Sequence, residues 1–158
     1  MIDIERISWD EYYMQMAILV SKRSSCLRRQ VGSVLVLNNR VISTGYNGSP
    51  CGITNCYERG YCIRENAEQG KNLDMCYAQH SEMNCISVCA KQGIKCEGAT
   101  LYVTTFPCLG CMKTLISVGI KEIVYLEDYK NTELSKQLAE ESGIKIIKYL
   151  INYYQIKD

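Results

Sequence analysis

The hydrophobic pattern of the chain is regular at both ends and breaks down over one long stretch between them. Ser8-Trp9-Asp10-Glu11 has the form of a capping box, in which the Ser8 hydroxyl and the Glu11 carboxylate each satisfy an amide at a helix start. That helix is expected to reach about Lys22. Val31 to Leu37 is a β-branched apolar run, Asn38-Asn39 supplies turn residues, and Val41 to Tyr46 is a second run, so the segment predicts a hairpin. From Asn47 to about Gln79, Gly, Asn, Cys and charged residues interleave without a clear period. A stretch of that kind in a compact domain is functional, or is pinned by something other than a core.

Regularity returns at His80. Ser81 to Lys91 places Met83, Ile86 and Ala90 at helical spacing, and Gly93 suits the left-handed position that ends a helix. Ala99 to Thr104 is expected as a strand. Pro107 suits the first turn of a helix that closes at Gly119. Glu122 to Leu126 follows as a strand, Thr132 to Ser142 as a polar-faced helix, and Ile144 to Leu150 as a last strand. The resulting order, α-β-β-α-β-α-β-α-β, argues for an α/β fold: a mixed five-stranded sheet with helices on its faces. No repeat, linker or low-complexity segment interrupts it, so one domain is expected over residues 1–158.

Composition narrows the function. The 158 residues are 47% hydrophobic, enough for a continuous core. Eighteen basic and 17 acidic side chains leave a formal charge of +1, so no global field draws the protein to nucleic acid or an anionic membrane, and any phosphate must be held locally. The N-terminus has acids among its apolar residues and lacks a basic-then-apolar signal layout. No run approaches the roughly 18 apolar residues of a membrane span. A soluble, cytoplasmic protein is expected. In that reducing setting the ten cysteines ligate metal, react or fill the core rather than form a disulfide framework.

Two short segments carry the chemistry. His80-Ser81-Glu82 opens one expected helix, and Pro107-Cys108-Leu109-Gly110-Cys111 opens the next after an intervening strand. Two cysteines separated by two residues at a helix start can face one ion, and the helix N-terminus favours their thiolate forms. His80, the only histidine, completes three zinc ligands and leaves a fourth position for water, the open arrangement of catalytic sites. Such a water has a pKa of about 7. Glu82, two residues past the histidine, can approach that water without ligating the metal and serve as general acid and base. The layout His-x-Glu followed by Pro-Cys-x-x-Cys is the signature of zinc deaminases acting on C4 of cytosine or C6 of adenine.

Other residues are candidates for holding a substrate. Lys22 to Arg29 is the densest basic stretch outside the C-terminus; Arg28 is the first choice for a phosphate, since arginine grips it with two parallel donors, and Arg29 the second. Thr104, Thr105 and Phe106, just before the cysteine pair, are placed to line a base pocket. Cys26, Cys56, Cys62 and Cys76 lie in or beside the irregular stretch. Four thiolates could close a second, tetrahedral zinc site that pins it. The alternative is four free thiols, because their spacing matches no compact zinc pattern. Cys85 and Cys89, at i and i+4, and Cys96 read as core, and Cys51 has no assigned role.

Over nearly its whole length the chain resembles the deoxycytidylate deaminases of bacteria and phages. The resemblance rests on Ser25-Cys26-Leu27-Arg28-Arg29-Gln30-Val31-Gly32, Thr44-Gly45-Tyr46-Asn47-Gly48-Ser49-Pro50, His80-Ser81-Glu82-Met83-Asn84 and Phe106-Pro107-Cys108-Leu109-Gly110-Cys111. It implies a cytidine-deaminase-like three-layer fold and hydrolysis of dCMP to dUMP and ammonia, supplying dUMP for dTMP synthesis. By the same resemblance Asn47 meets the deoxyribose, Gly48 lets the backbone turn close by, and Tyr129 stands near the substrate. Some relatives carry a second, structural zinc. The family is oligomeric, often hexameric, and many members respond to dCTP and dTTP, with magnesium accompanying the triphosphate. The chain departs from it in having Ser81 and Cys85 where alanine is usual, and Val88 and Lys91 where relatives place subunit contacts and an effector-binding arginine. A deaminase of another cytosine nucleotide or nucleoside, and a non-catalytic zinc module, are the competing functions; the near-neutral charge argues against a nucleic-acid substrate.

Overall fold

The computed structural model of the protein describes residues 6–151; the two ends of the expected 1–158 domain, and the first residues of the N-terminal stretch read for a signal, lie outside them. The hairpin forms where the alternation placed it. Strand β1 (Gly32–Leu37) pairs antiparallel with β2 (Arg40–Tyr46) through Asn38 and Asn39, which both adopt positive φ (51° and 56°). Consecutive positive φ values are those of a type I′ turn, whose twist matches the strands it joins. The register shifts after Leu35, so that Ile42 is an extra residue in β2.

Strands β3 (Thr100–Thr105), β4 (Glu122–Glu127) and β5 (Lys145–Lys148) complete one sheet of order β2-β1-β3-β4-β5. β3 lies antiparallel to β1, whereas β3-β4 and β4-β5 are parallel. The sheet is therefore mixed and five-stranded. β5 is shorter than the 144–150 span expected from the sequence.

The near-continuous apolar runs of β1, β3 and β4 have a physical cause: these strands are buried on both faces. On one face Val34, Val36, Tyr102 and Val124 meet Tyr13, Met14 and Ala17 of helix α1 (Trp9–Ser21). On the other, Leu35, Leu101, Val103, Ile123 and Tyr125 meet α3 (Ser81–Gln92), α4 (Leu109–Ser117) and α5 (Glu133–Ser142). Ser8 caps α1 by accepting from the Glu11 amide (3.1 Å), and Tyr102 ties that helix to the sheet by donating to Asp10 (2.8 Å). The irregular stretch holds only α2 (Cys56–Arg59) and one 3-10 turn (Leu73–Met75).

Two local expectations are corrected. Pro107 does not enter the first turn of α4; Cys108 is the N-cap, so the proline stands one residue outside the helix. The face of α3 that packs inward is Ser81, Glu82, Cys85 and Cys89, while Met83 and Ile86 are half-buried and Ala90 exposed. The core-facing stripe is small and polar at its start because it carries a site, which the apolar spacing alone does not reveal. Cys85 and Cys89 do pack in the core, with Cys96 partly buried against it.

Gly45 explains how α3 comes so close to the sheet. A methyl group there would stand 2.3 Å from the Ser81 carbonyl oxygen and 2.8 Å from the Cys85 amide nitrogen. Both obstructions are backbone, so the helix would have to move. Gly45→Ala is expected to cost about 1–3 kcal/mol of stability, which for a domain of this size lowers the thermal midpoint by roughly 2–4 °C per kcal/mol. Thermal unfolding monitored by circular dichroism checks this, and an unchanged midpoint contradicts the packing argument.

Candidate active site

His80 and Cys108 are the N-caps of α3 and α4, with extended backbones (φ −68° at both) and no side-chain capping bond. Their side chains are thereby free to turn toward each other. His80 Nδ1 lies 3.4 Å from Cys108 Sγ and 3.4 Å from Cys111 Sγ. All three donor atoms fall within 4.8 Å of one another, the one such group of three among the described residues. Backbone contacts from distant segments set this position. An antiparallel bridge between Gly48 and Gln79 fixes the residue before His80, and the buried Ser135 of α5 donates to the Pro107 carbonyl (2.9 Å) just before Cys108.

The electrostatics of this group are those of a site built for a cation. Cys108 is held far below an ordinary thiol, at about 4, by hydrogen bonds from Cys111 and His80 that outweigh its burial. His80 is raised to about 9, chiefly by its bond to Cys108 and secondarily by the nearby Glu82 charge. Cys111 is pushed up by the Cys108 thiolate and by burial. The three donors thus share protons that a metal ion would replace. One nitrogen and two sulfurs with tetrahedral reach suit zinc, and three ligands leave one position open.

Glu82 sits in the first turn of α3, 4% exposed. Burial raises its pKa, opposed by the His80 charge and by the Ser81 hydroxyl. It lines a cavity of about 370 Å³ together with His80, Cys108, Thr105, Phe106 and Asn47, a volume within the range of small-molecule sites. Phe106 is held edge-on to Tyr125 with ring centroids 4.9 Å apart. Thr104, expected beside it, points elsewhere: its hydroxyl accepts from the Gly32 amide (3.1 Å), since successive strand residues face opposite sides.

The remaining candidates divide. Asn47 is buried at the cavity wall, where its Oδ1 accepts from the Val31 amide (2.8 Å) and the Ser24 hydroxyl (2.6 Å) while its Nδ2 donates to the Arg29 carbonyl (2.7 Å). Among the described residues, one amide N–H is left over. Gly48 faces away, into a second, more open cavity of about 670 Å³ shared with Lys22, Arg23 and Tyr57. Arg28, Arg29 and Tyr129 all line the first cavity. Arg28 donates to the Arg64 and Ala67 carbonyls, and Arg29 pairs with Glu127 (2.5 Å) while standing over the Tyr129 ring at 5.6 Å. Cys26, Cys56, Cys62 and Cys76 line the same cavity, and burial followed by the other three sulfurs raises the Cys56 thiol. No three of these four come within 4.8 Å of one another.

Arg64 escaped the sequence reading. It lies in the irregular stretch with no motif around it, yet its guanidinium grips the Lys71 carbonyl (3.2 and 2.5 Å) and lines the cavity beside Arg28 and Arg29. Its only sequence signal was a basic residue in a stretch without a core.

The family comparison agrees with this geometry. Residues 7–127 match the family described as the cytidine and deoxycytidylate deaminase zinc-binding region, and the chain belongs to it. The chain is 44% identical over 147 residues to a deoxycytidylate deaminase of Schizosaccharomyces pombe, covering 92% of this chain and 45% of that protein. It is 38% identical over 143 residues to ComE operon protein 2 of Bacillus subtilis (90% and 72%) and 33% identical over 165 residues to the deoxycytidylate deaminase of Enterobacteria phage T4 (84% and 86%). The chain spans about half the length of the Schizosaccharomyces pombe protein and of the deoxycytidylate deaminase of Saccharomyces cerevisiae, 45% and 47%. Among solved structures, the dCMP deaminase of cyanophage S-TIM5 in complex with dCMP and dUMP aligns with a TM-score of 0.75 at 29% identity, over 88% of this chain and 95% of that one. The fold is that of the cytidine-deaminase-like three-layer proteins. Among the described residues, no helix is long and apolar enough to cross a membrane.

The protonation pattern sets how metal uptake responds to pH. Near pH 7 Cys108 is already a thiolate, whereas His80 and Cys111 must each lose a proton to ligate. Zinc binding is therefore expected to release about two protons per ion, so that apparent affinity falls on the order of 100-fold for each pH unit lowered. Calorimetry in buffers of different ionisation heat measures the proton count; no release contradicts the assignment of donors.

Proposed function

We propose that the chain is a single zinc-dependent deaminase domain, over residues 1–158, that hydrolyses dCMP to dUMP and ammonia. One observation carries the reading: a single cavity is lined both by Glu82, His80 and Cys108 and by three arginines, Arg28, Arg29 and Arg64. A cytosine base and a phosphate are the two chemistries such a lining suits. The bound dCMP and dUMP of the S-TIM5 neighbour support the same substrate.

His80, Cys108 and Cys111 would hold the zinc. When bound, the ion would supply Lewis acidity and make water acidic enough to ionise near neutral pH. Glu82 takes the proton given up as the water oxygen bonds to C4, and delivers it to the ring nitrogen N3. It then takes the proton of the new C4 hydroxyl and passes it to the amine as the C4–N4 bond breaks and the carbonyl forms. Burial suits it to this exchange, because a raised carboxyl pKa lies nearer the working pH. Phe106 and Thr105 line the place of the base, the unspent amide N–H of Asn47 faces the sugar, and Tyr129 closes the cationic side.

The arginines read the phosphate. Arg28 and Arg64 each spend donors on loop carbonyls, but a guanidinium has five, and both residues line the cavity. A second zinc on Cys26, Cys56, Cys62 and Cys76 belongs to the same reading, supported by all four lining the one cavity and by the influence of the other three sulfurs on the Cys56 thiol. Assembly into a homo-oligomer, hexameric by family likeness, belongs to it too. So does control by dCTP or dTTP with magnesium, for which Lys22 and Arg23 in the second cavity offer cations. A non-catalytic zinc module is disfavoured, because it has no use for a buried acid beside an open metal position.

The test is an ultraviolet assay of the zinc-loaded protein with dCMP, deoxycytidine, cytidine and dCTP in parallel. Glu82→Gln is expected to lower kcat by about 10²–10⁴-fold. Arg28→Ala and Arg64→Ala are expected to raise KM for dCMP at least about ten-fold, a larger factor than for deoxycytidine, which lacks the phosphate. Turnover of another cytosine compound with dCMP untouched overturns the substrate. Elemental analysis giving one zinc per chain removes the second site.

A further inference from the structure

Beside Glu82 lies a pair of hydroxyl groups that the reaction just described does not use. Ser81 of α3 and Ser33 of β1 are both fully buried, at 0% exposure. Their oxygens are 2.6 Å apart, and Ser81 Oγ is 3.1 Å from Glu82 Oε2. Both positions sit where a core would accept alanine, and an unpaired buried hydroxyl is costly. Each instead finds its partner in this chain of three.

The direction of the chain follows from counting protons. A serine hydroxyl has one proton to donate, and an ionised carboxylate only accepts. The Ser81 proton therefore goes to Glu82 Oε2, which leaves Ser33 as the donor in the short contact between the two hydroxyls. Ser33 cannot drift, because its strand is paired on both sides, with Gly45 of β2 and Val103 of β3. Ser81 is held in turn by the approach of α3 over Gly45.

We propose that Ser81, oriented by Ser33, is a positioning residue for the proton-transferring carboxylate: it anchors Oε2 and so presents Oε1 to the reacting atoms. The inference rests on the proposed reaction, in which Glu82 must take a proton from water and release it to N3 without losing its aim. A carboxylate free to rotate about its last bond spreads its population over orientations that serve neither transfer, and small misplacements at a reacting centre are expensive. The anchored oxygen removes that freedom.

The inference is tested on the zinc-loaded protein with the best cytosine substrate found above, so that failure of dCMP as substrate and failure of this inference are separate results. Ser81→Ala is expected to lower kcat about ten-fold at unchanged KM, with zinc content and thermal midpoint close to those of the unsubstituted protein. Ser33→Ala is expected to lower kcat about three-fold, and the double variant to match Ser81→Ala alone, since the two hydroxyls act in series. A full kcat for Ser81→Ala overturns the inference. So does a loss accompanied by loss of zinc or of folding, which would mark a packing role, and so do multiplying losses in the double variant.

Discussion

Everything in this protein depends on two helix N-termini meeting at one point. His80 begins α3 and Cys108 begins α4, and neither caps its helix with its own side chain, so both are available to a third partner. The exposed amides and aligned dipoles at the two ends favour negative charge between them. Hydrogen bonds from Cys111 and His80 make a thiolate of Cys108 at neutral pH, and three metal donors lie within 4.8 Å of one another. Two helices can start side by side only because β3 lies between them in sequence and returns the chain to the same end of the sheet. The Gly45 gap, the Gly48–Gln79 bridge and the Ser135–Pro107 bond then hold the two starts in place.

From this point the cavity runs toward a different environment. Around the metal group it is enclosed by buried backbone and by Glu82, whose proton affinity burial increases. Elsewhere it is walled by the irregular stretch, which has almost no regular structure of its own. That wall is held by arginines donating to carbonyls: Arg28 to Arg64 and Ala67, Arg64 to Lys71. The same cations face the cavity. A segment with little core is thus fastened by residues that also line the cavity.

Asn47 shows a similar economy. Its side chain is spent mainly on the backbone at Val31 and Arg29 and on Ser24, so it joins the basic segment to the end of β2. An asparagine at this turn shapes the wall that carries Arg28 and Arg29, whatever it also offers to a sugar. Motif residues of this kind contribute to geometry before they contribute to binding.

What the sequence determined by itself was what local pattern and short spacing encode. The alternation of apolar runs and turn residues predicted the hairpin, the five strands and their helices, because strand and helix periods are properties of neighbouring residues. His80, Cys108, Cys111 and the acid Glu82 were legible for the same reason: ligands, and a carboxylate beside them, need a fixed spacing at a helix start. Only the tertiary structure decided which face of α3 turned inward, since a polar functional face defeats a hydrophobic count. It alone brought Arg64 to the cavity, turned Thr104 away from it, and set Ser33 against Ser81, 48 positions apart in the chain. Such pairs leave no local trace, because their contact is made by the packing of a helix on a sheet and not by the chain between them.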